Sequence, residues 1–294
     1  MQTLSRYPNL SVLIASLFWG TYWIPLRYIN KNGDESVWPI FLSFIILSIF
    51  LIKPLLIGLR KIIKEKDIYF IAGNFFSALA IALYSESFLR GEIAKVVLLF
   101  YLCPVWGTIL AKLILKEKFN LQRYLSLLLG IIGLEIILGF DKGVFFPSSI
   151  VEYMALTAGF IWSLGLICFQ LSVKTTSAEK TAVTGFIVPF FFLFLSLIPG
   201  GREFQFNFST LLSNNVFIWM LLFAIFWLLP SILFTYVSVE ILDAGRINIL
   251  LMFEVILGIS SAALLTQELI GLREIIGACI IILAGTIEIT RIKS

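Results

Sequence analysis

The chain of 294 residues has no histidine, only three cysteines, and charged side chains at just 14% of positions. Each scarcity closes a class of function. Without imidazole there is no His-based catalytic triad, no histidine metal site and no imidazole proton relay, so carboxylates are left as the proton carriers. Cys103, Cys168 and Cys279 lie inside apolar runs, a placement that argues against a disulfide framework and against metal-ligand spacing. The net charge of +4 is small and scattered, and nothing in it points to nucleic acid. In place of charge the chain has apolar surface: 60% of its residues are hydrophobic and its mean hydropathy is +1.00. A soluble domain is about 45–50% apolar and about 25% charged. One soluble core of this length cannot hide the excess, so the solvent has to be lipid. An all-α polytopic protein of the cytoplasmic membrane is expected.

Crossing a hydrocarbon core of roughly 30 Å takes about 20 mostly apolar residues. By that measure the spans run 9–29, 37–59, 67–89, 93–115, 121–140, 149–171, 181–199, 216–238, 243–265 and 271–290. The links between them carry the breakers, such as Lys31-Asn32-Gly33-Asp34-Glu35 and Pro199-Gly200-Gly201. Helices are required because an unpaired backbone group in lipid costs several kcal/mol, and the runs are longer than a barrel strand needs. The first run begins near Leu10 and lacks a small-residue cleavage site, so it reads as a retained helix and not as a signal peptide. With the amino terminus in the cytoplasm, twice as many Lys and Arg fall on that side as on the other. Both termini are therefore expected to be cytoplasmic.

The sequence also repeats itself. Leu13-Ile14-Ala15-Ser16-Leu17-Phe18-Trp19-Gly20 of the first span is echoed by Leu156-Thr157-Ala158-Gly159-Phe160-Ile161-Trp162-Ser163 of the sixth, 143 positions on. Glu92-Ile93-Ala94-Lys95 is matched by Asp243-Ala244-Gly245-Arg246, and Glu117 by Glu268, both 151 positions on. The extra residues fall in the long loop from Gly200 to Asn215. The result is about ten transmembrane helices in two five-helix units, 1–143 and 144–294. An odd number of spans makes the second unit enter the membrane in the opposite sense. That is the inverted-repeat construction of alternating-access carriers, with a site between the halves.

Two stretches carry a family resemblance. The first is Tyr101-Leu102-Cys103-Pro104-Val105, followed by Lys116-Glu117-Lys118. The second is Gly245-Arg246-Ile247-Asn248-Ile249-Leu250-Leu251-Met252-Phe253-Glu254-Val255, followed by Gln267-Glu268, Gly277 and Gly285. Together they resemble the drug/metabolite transporter superfamily in its EamA-like branch, twice over and across essentially the whole chain. The chain departs from the pattern where Cys103-Pro104 of the first unit aligns with Glu254-Val255 of the second, so neither unit holds both acid and proline. The resemblance implies spans one to four and six to nine around a central cavity, with five and ten at the periphery. It also implies a carrier that exports or exchanges amino acids, other small metabolites or drugs.

Glu254 is the sharpest candidate. It lies eleven residues beyond Asp243, deep in a predicted span. A charge there costs about 2.5–3.5 kcal/mol on insertion scales, so the side chain should face the bundle interior or a wet cavity. It is expected to bind an ammonium group or to carry a proton; a hydrogen-bonded structural acid is the alternative. Trp19, Tyr22, Trp23, Tyr101 and Trp162 complete the expected substrate set. Their rings suit amphipathic or cationic ligands, with cation–π contacts of about 0.5–2 kcal/mol, although helix packing explains a mid-span Trp as simply. Glu86, within Tyr84-Ser85-Glu86-Ser87, is expected to pair with Lys95 or Arg90 or to touch substrate. Lys95 and Arg246 hold repeat-related positions at opposite faces, as gates or as snorkelling side chains. Pro25, Pro104, Pro189 and Pro230 interrupt spans, and a proline bends the helix it enters; Pro104 is assigned to gating. Glu135 and Glu288 are expected to be structural or interfacial. The alternating Phe204, Phe206 and Phe208 are expected on the outer membrane surface.

The expected function is transport of a small amphipathic, amino-acid-like metabolite, by proton coupling or by exchange. A carrier for organic cations or drugs is the alternative, and a membrane scaffold without transport the alternative of another class. An enzyme is not expected, because no nucleophile–base pair or metal cluster is visible; no metal and no cofactor are called for. No filter-like loop points to a channel. The expected partners are a small-molecule substrate and the lipid bilayer, with a homodimer left open.

Overall fold

The computed structural model describes residues 7–91, 93–116, 121–138, 147, 149–198, 200–212, 215–266 and 271–290. Among these, every regular element is helical. The first half holds α1 (Pro8–Gly20), α2 (Trp23–Asn32), α3 (Trp38–Phe50), α4 (Ile52–Glu65), α5 (Ile68–Arg90), α6 (Ile93–Phe100), α7 (Cys103–Ile114) and α8 (Leu121–Leu138). The second holds α9 (Ile150–Leu171), α10 (Ser177–Ser196), α11 (Phe208–Leu212), α12 (Val216–Leu222), α13 (Leu229–Val239), α14 (Ala244–Leu251), α15 (Phe253–Thr266) and α16 (Leu272–Thr290). A π-helical turn, Phe223–Leu228, joins α12 to α13.

Five stretches are long and apolar enough to cross a membrane: Pro8–Asn32, Ile68–Arg90, Ile150–Leu171, Ser177–Ser196 and Val216–Val239. The bent pair α3–α4 makes a sixth if it is one span. The other four expected spans are represented by α8, by α16 and by the interrupted pairs α6–α7 and α14–α15. The chain is thus a multi-pass membrane protein.

Most interruptions trace to proline, which removes an amide and clashes with the carbonyl four residues back. Pro25 follows the break at Thr21–Tyr22, Pro104 the break at Tyr101–Leu102, and Pro230 the π turn. Pro54 follows a sharp bend, where α3 and α4 meet at 87°. The span expected at 37–59 is therefore no single rod. The hydrophobic run continues past Leu51, but the backbone turns there, and α4 packs on α10 with Leu55 and Gly58 buried. Pro189 is the exception among the four expected interruptions, since α10 runs through it. The break between α14 and α15 at Met252 has no proline behind it.

Small residues set the closest crossings. α8 lies along α16, and a Cβ on Gly133 would come within 2.8 Å of the Gly277 carbonyl, as one on Gly277 would within 2.6 Å of the Gly133 carbonyl. α5 lies along α9, with Gly73 against the Phe169 ring and Gly165 against Ser77. α1 packs on α13, α14 and α15.

Candidate functional site

Between the halves lies a cavity of about 20 Å³, lined by Trp19 of α1, Ala80, Ile81 and Tyr84 of α5, Phe100 of α6, Trp162 of α9, Leu251 of α14 and Glu254 of α15. A volume of that order holds about one water. Neither α8 nor α16 contributes to the lining. Glu254 is the only ionisable carboxyl among the lining residues and is 8% exposed. It stands in the first turn of α15, directly after the break at Met252. Amide groups at a helix start are unpaired and favour a negative charge nearby. The Tyr101 hydroxyl lies beside the Glu254 carboxyl and donates to the Leu251 carbonyl at 3.2 Å. Trp19 meets Trp162 edge-on at 6.1 Å, and Tyr84 stacks on Phe100 at 4.1 Å. The Trp162 indole N–H is buried without an acceptor among the described residues.

Distant helices meet both breaks with small residues. A Cβ on Gly20 would sit 2.5 Å from the Glu254 carbonyl oxygen, so only glycine lets α1 come this close to the start of α15. A Cβ on Gly159 would sit 2.4 Å from the Phe100 carbonyl oxygen, at the end of α6. The neighbouring serines bond to the same two regions: Ser16 Oγ donates to the Leu250 carbonyl at 3.3 Å, and Ser163 Oγ to the Cys103 carbonyl at 2.9 Å. Asn248 Nδ2 reaches that Cys103 carbonyl too, at 3.1 Å.

A family model described as the EamA-like transporter family matches the chain twice, over residues 7–139 and 149–289. The chain belongs to the EamA-like transporter family. It is accordingly a membrane transporter of the drug/metabolite type. A solved crystal structure superposes on it with a TM-score of 0.71, covering 95% of each chain at 15% sequence identity; that likeness speaks for the fold alone. No curated protein matches the chain.

In this EamA-like transporter, four of the expected residues, Trp19, Tyr101, Trp162 and Glu254, come together at the cavity. Tyr22 meets Trp19 at a tilt with ring centroids 5.3 Å apart, but its hydroxyl is spent on Ser85 at 2.9 Å and it is not part of the lining. Trp23 faces elsewhere: its N–H donates to Ser261 at 3.1 Å, and Arg27 lies over its ring at 5.6 Å. Pro104 is buried near the start of α7, behind the first break.

Glu86 departs from expectation. Among the described residues its partner is not Arg90 but Arg202, whose Nε lies 3.1 and 3.0 Å from the two carboxylate oxygens. Arg202 also binds the Asn30 side chain and the Ser36 carbonyl. The segment around it is pinned across the helix ends, with the Val37 amide donating to the Glu203 carbonyl and the Gln205 amide to Ser36 Oγ. Phe204 and Phe206 pack edge-on against Phe41 and Trp38, so this loop caps the bundle as well as lining its surface. Arg246 is not a snorkelling side chain either: it is 7% exposed and donates to Asn9 Oδ1 and the Ile289 carbonyl. The Lys95 side chain, Glu92, Glu117 and Glu268 lie outside the described residues.

Sequence reasoning missed the cluster at the opposite end. Arg123, fully buried, binds Asp243 at 2.5 Å and Glu288 at 3.1 Å, and Ser126 donates to Glu288 at 2.8 Å. Asp243 also caps α14 by accepting from the Arg246 amide. The available signal was Arg123 and Glu288 inside otherwise apolar helices. Tyr84 and Phe100 of the cavity carried no signal beyond their aromatic character.

Proposed function

We propose that the chain is a secondary carrier that moves a small amphipathic, amino-acid-like metabolite across the cytoplasmic membrane by alternating access. The observation that carries this reading is Glu254: a carboxyl at a helix break, facing a small cavity walled by aromatic rings from both halves of the chain. Residues 1–143 and 144–294 act as inverted five-span units that rock about this point. Glu254 receives the ammonium group of the substrate or, between substrates, a proton. The unpartnered Trp162 N–H supplies a donor for an acceptor such as the substrate carboxylate. Burying either group without a partner is costly, which supports a ligand that brings both signs.

The cavity is too small for such a ligand, so binding has to accompany opening at one end. Arg202 and Glu86 hold one end shut. At the other, Lys61 pairs with Glu179 at 2.8 Å, joining α4 to α10, and Asp67 accepts from Ser172 at 2.8 Å, joining the start of α5 to the end of α9. Releasing the two sets in turn would expose the cavity first to one side and then to the other. Both termini face the cytoplasm in this scheme, and the Arg202 loop faces outward.

The test is uptake into proteoliposomes from a panel of amino acids and amines, with and without a proton gradient. In Glu254→Gln, transport should fall by about ten-fold or more, the equivalent of about 1.4 kcal/mol, and the remainder should ignore the gradient. Unchanged pH dependence in that variant would remove Glu254 as the proton carrier, and unchanged transport would remove the site altogether. The carboxyl beside aromatic rings also favours organic cations. Competition by amines lacking a carboxylate, without competition by amino acids, selects that second reading.

A further inference from the structure

A second concavity lies on the outside of the bundle. α9 and α10 both pack along α5, and between the three lies a groove of about 790 Å³. Phe75 and Leu79 of α5, Met154 of α9, and Phe190 and Phe194 of α10 are among its walls, with Arg90 at one end. It shares no residue with the central cavity. All three helices are long and apolar enough to cross the membrane, so the groove opens to lipid and not to water. The rings of Phe75, Phe190 and Phe194 are exposed on its flank.

The ends of the groove are unlike. Arg90 is the last residue of α5 and the only ionisable group among the lining residues. Its guanidinium offers five N–H donors, of which one goes to the Gly200 carbonyl at 2.7 Å, its only hydrogen bond among the described residues. From Arg90 back to Phe75 the floor runs along about 22 Å of helix, taking 1.5 Å per residue. That exceeds the depth of one leaflet, about half of a 30 Å core. A trench of this length with a cation at the headgroup level fits a phosphate followed by a hydrocarbon tail. Among the described lining residues the only charge is the Arg90 guanidinium, so the headgroup that complements it is a net-negative one.

We propose that this groove binds one anionic phospholipid, its phosphate on Arg90 and one acyl chain laid along α5 between α9 and α10. An ordinary convex flank is wetted by whichever lipid is nearby. A concave one with a guanidinium at its mouth retains one molecule through charge-assisted, two-pronged hydrogen bonds.

The purified full-length chain in detergent would be given phosphatidylglycerol or phosphatidylcholine in equal amounts and followed by native mass spectrometry and thermal unfolding. The expected result is one retained phosphatidylglycerol and a raised unfolding temperature, with phosphatidylcholine retained about ten-fold less. Arg90→Gln should abolish that preference and Arg90→Lys should keep part of it. Met154→Trp, which fills the groove while leaving Arg90 and its loop contact in place, should lose both lipids and remain folded. Equal retention of the two lipids by the unaltered chain overturns the proposal, as does a preference that survives Arg90→Gln or retention that survives Met154→Trp. Loss of substrate uptake or of a chain–chain cross-link in Met154→Trp, with lipid still bound, would instead assign the groove to a transported molecule or to a second copy.

Discussion

The pairs α6–α7 and α14–α15 are interrupted at corresponding places, at Tyr101–Leu102 and at Met252. At each, a glycine from a helix distant in sequence lies against a backbone carbonyl, Gly159 against Phe100 and Gly20 against Glu254. The chemistry of the two breaks differs. At the first, Pro104 cannot donate to the Phe100 carbonyl, so the covalent structure itself imposes the interruption. At the second no proline is present, and the residue just past the break is an acid. The first break shows that a bend at this place needs no charge. The acid is the group that the first break lacks, and a carboxyl buried at membrane depth beside a cavity is a functional candidate. The second break also needs other support, and Asp243 supplies it by capping α14 while held by Arg123.

That support is the place where the comparison breaks most easily. Arg123→Ala would leave Asp243 and Glu288 buried without their shared cation, at a cost of about 3–5 kcal/mol. Thermal unfolding in detergent should register it as the largest loss of any single change near either break. A variant within about 1 kcal/mol of the unaltered chain, inside the range of an ordinary surface pair, would show that the cluster does not hold the second helix pair in place.

The glycines sharpen the comparison at the next level. Gly20→Ala and Gly159→Ala each drive a methyl into a backbone carbonyl that cannot swing aside, and overpacking of this kind costs about 1–3 kcal/mol. The stability losses should be similar. The functional losses should not be, because Gly20 abuts the backbone of Glu254 itself. Uptake per folded molecule should drop more in Gly20→Ala than in Gly159→Ala. Equal drops would mean that the second break has no special part in transport.

How much of this was legible in the sequence depends on the range of the signal. Hydrophobic runs and the doubled Trp19 and Trp162 motifs are local patterns, and they led to the helices and to two walls of the cavity. Glu254 stood out because a lone acid in an apolar run is costly wherever it faces. Partners of buried charges were not legible. Arg90 is the neighbour along the chain that Glu86 invites as a partner, yet Arg202, 116 residues away, holds it; Arg123 and Glu288 are separated by 165. Trp23 was grouped with Trp19 as if one continuous helix carried both, but the break at Thr21–Tyr22 turns it toward Ser261. Pro54 was in plain view, yet the apolar run through Leu59 masked the bend it produces. Run length reports partition into lipid and says nothing of direction.

The smallest effect tests the premise from which the comparison starts, that backbone chemistry suffices at the first break. Ser163 Oγ and Asn248 Nδ2 both donate to the Cys103 carbonyl, at 2.9 and 3.1 Å. Hydrogen bonds between membrane helices average about 0.6 kcal/mol. Ser163→Ala should cost about that much, since Asn248 stays on the carbonyl. Ser16→Ala should cost less, because Ser16 makes its shorter bond, 3.0 Å, to Val12 of its own helix and only a 3.3 Å contact to Leu250. Denaturation midpoints of the two variants, measured side by side, give the order. Were Ser163→Ala to cost well above 2 kcal/mol, more than the largest such bond of about 1.7 kcal/mol, the first break would depend on a side chain and not on Pro104. The two breaks would then be alike in needing a polar group, and Glu254 would lose the contrast that marks it as the site.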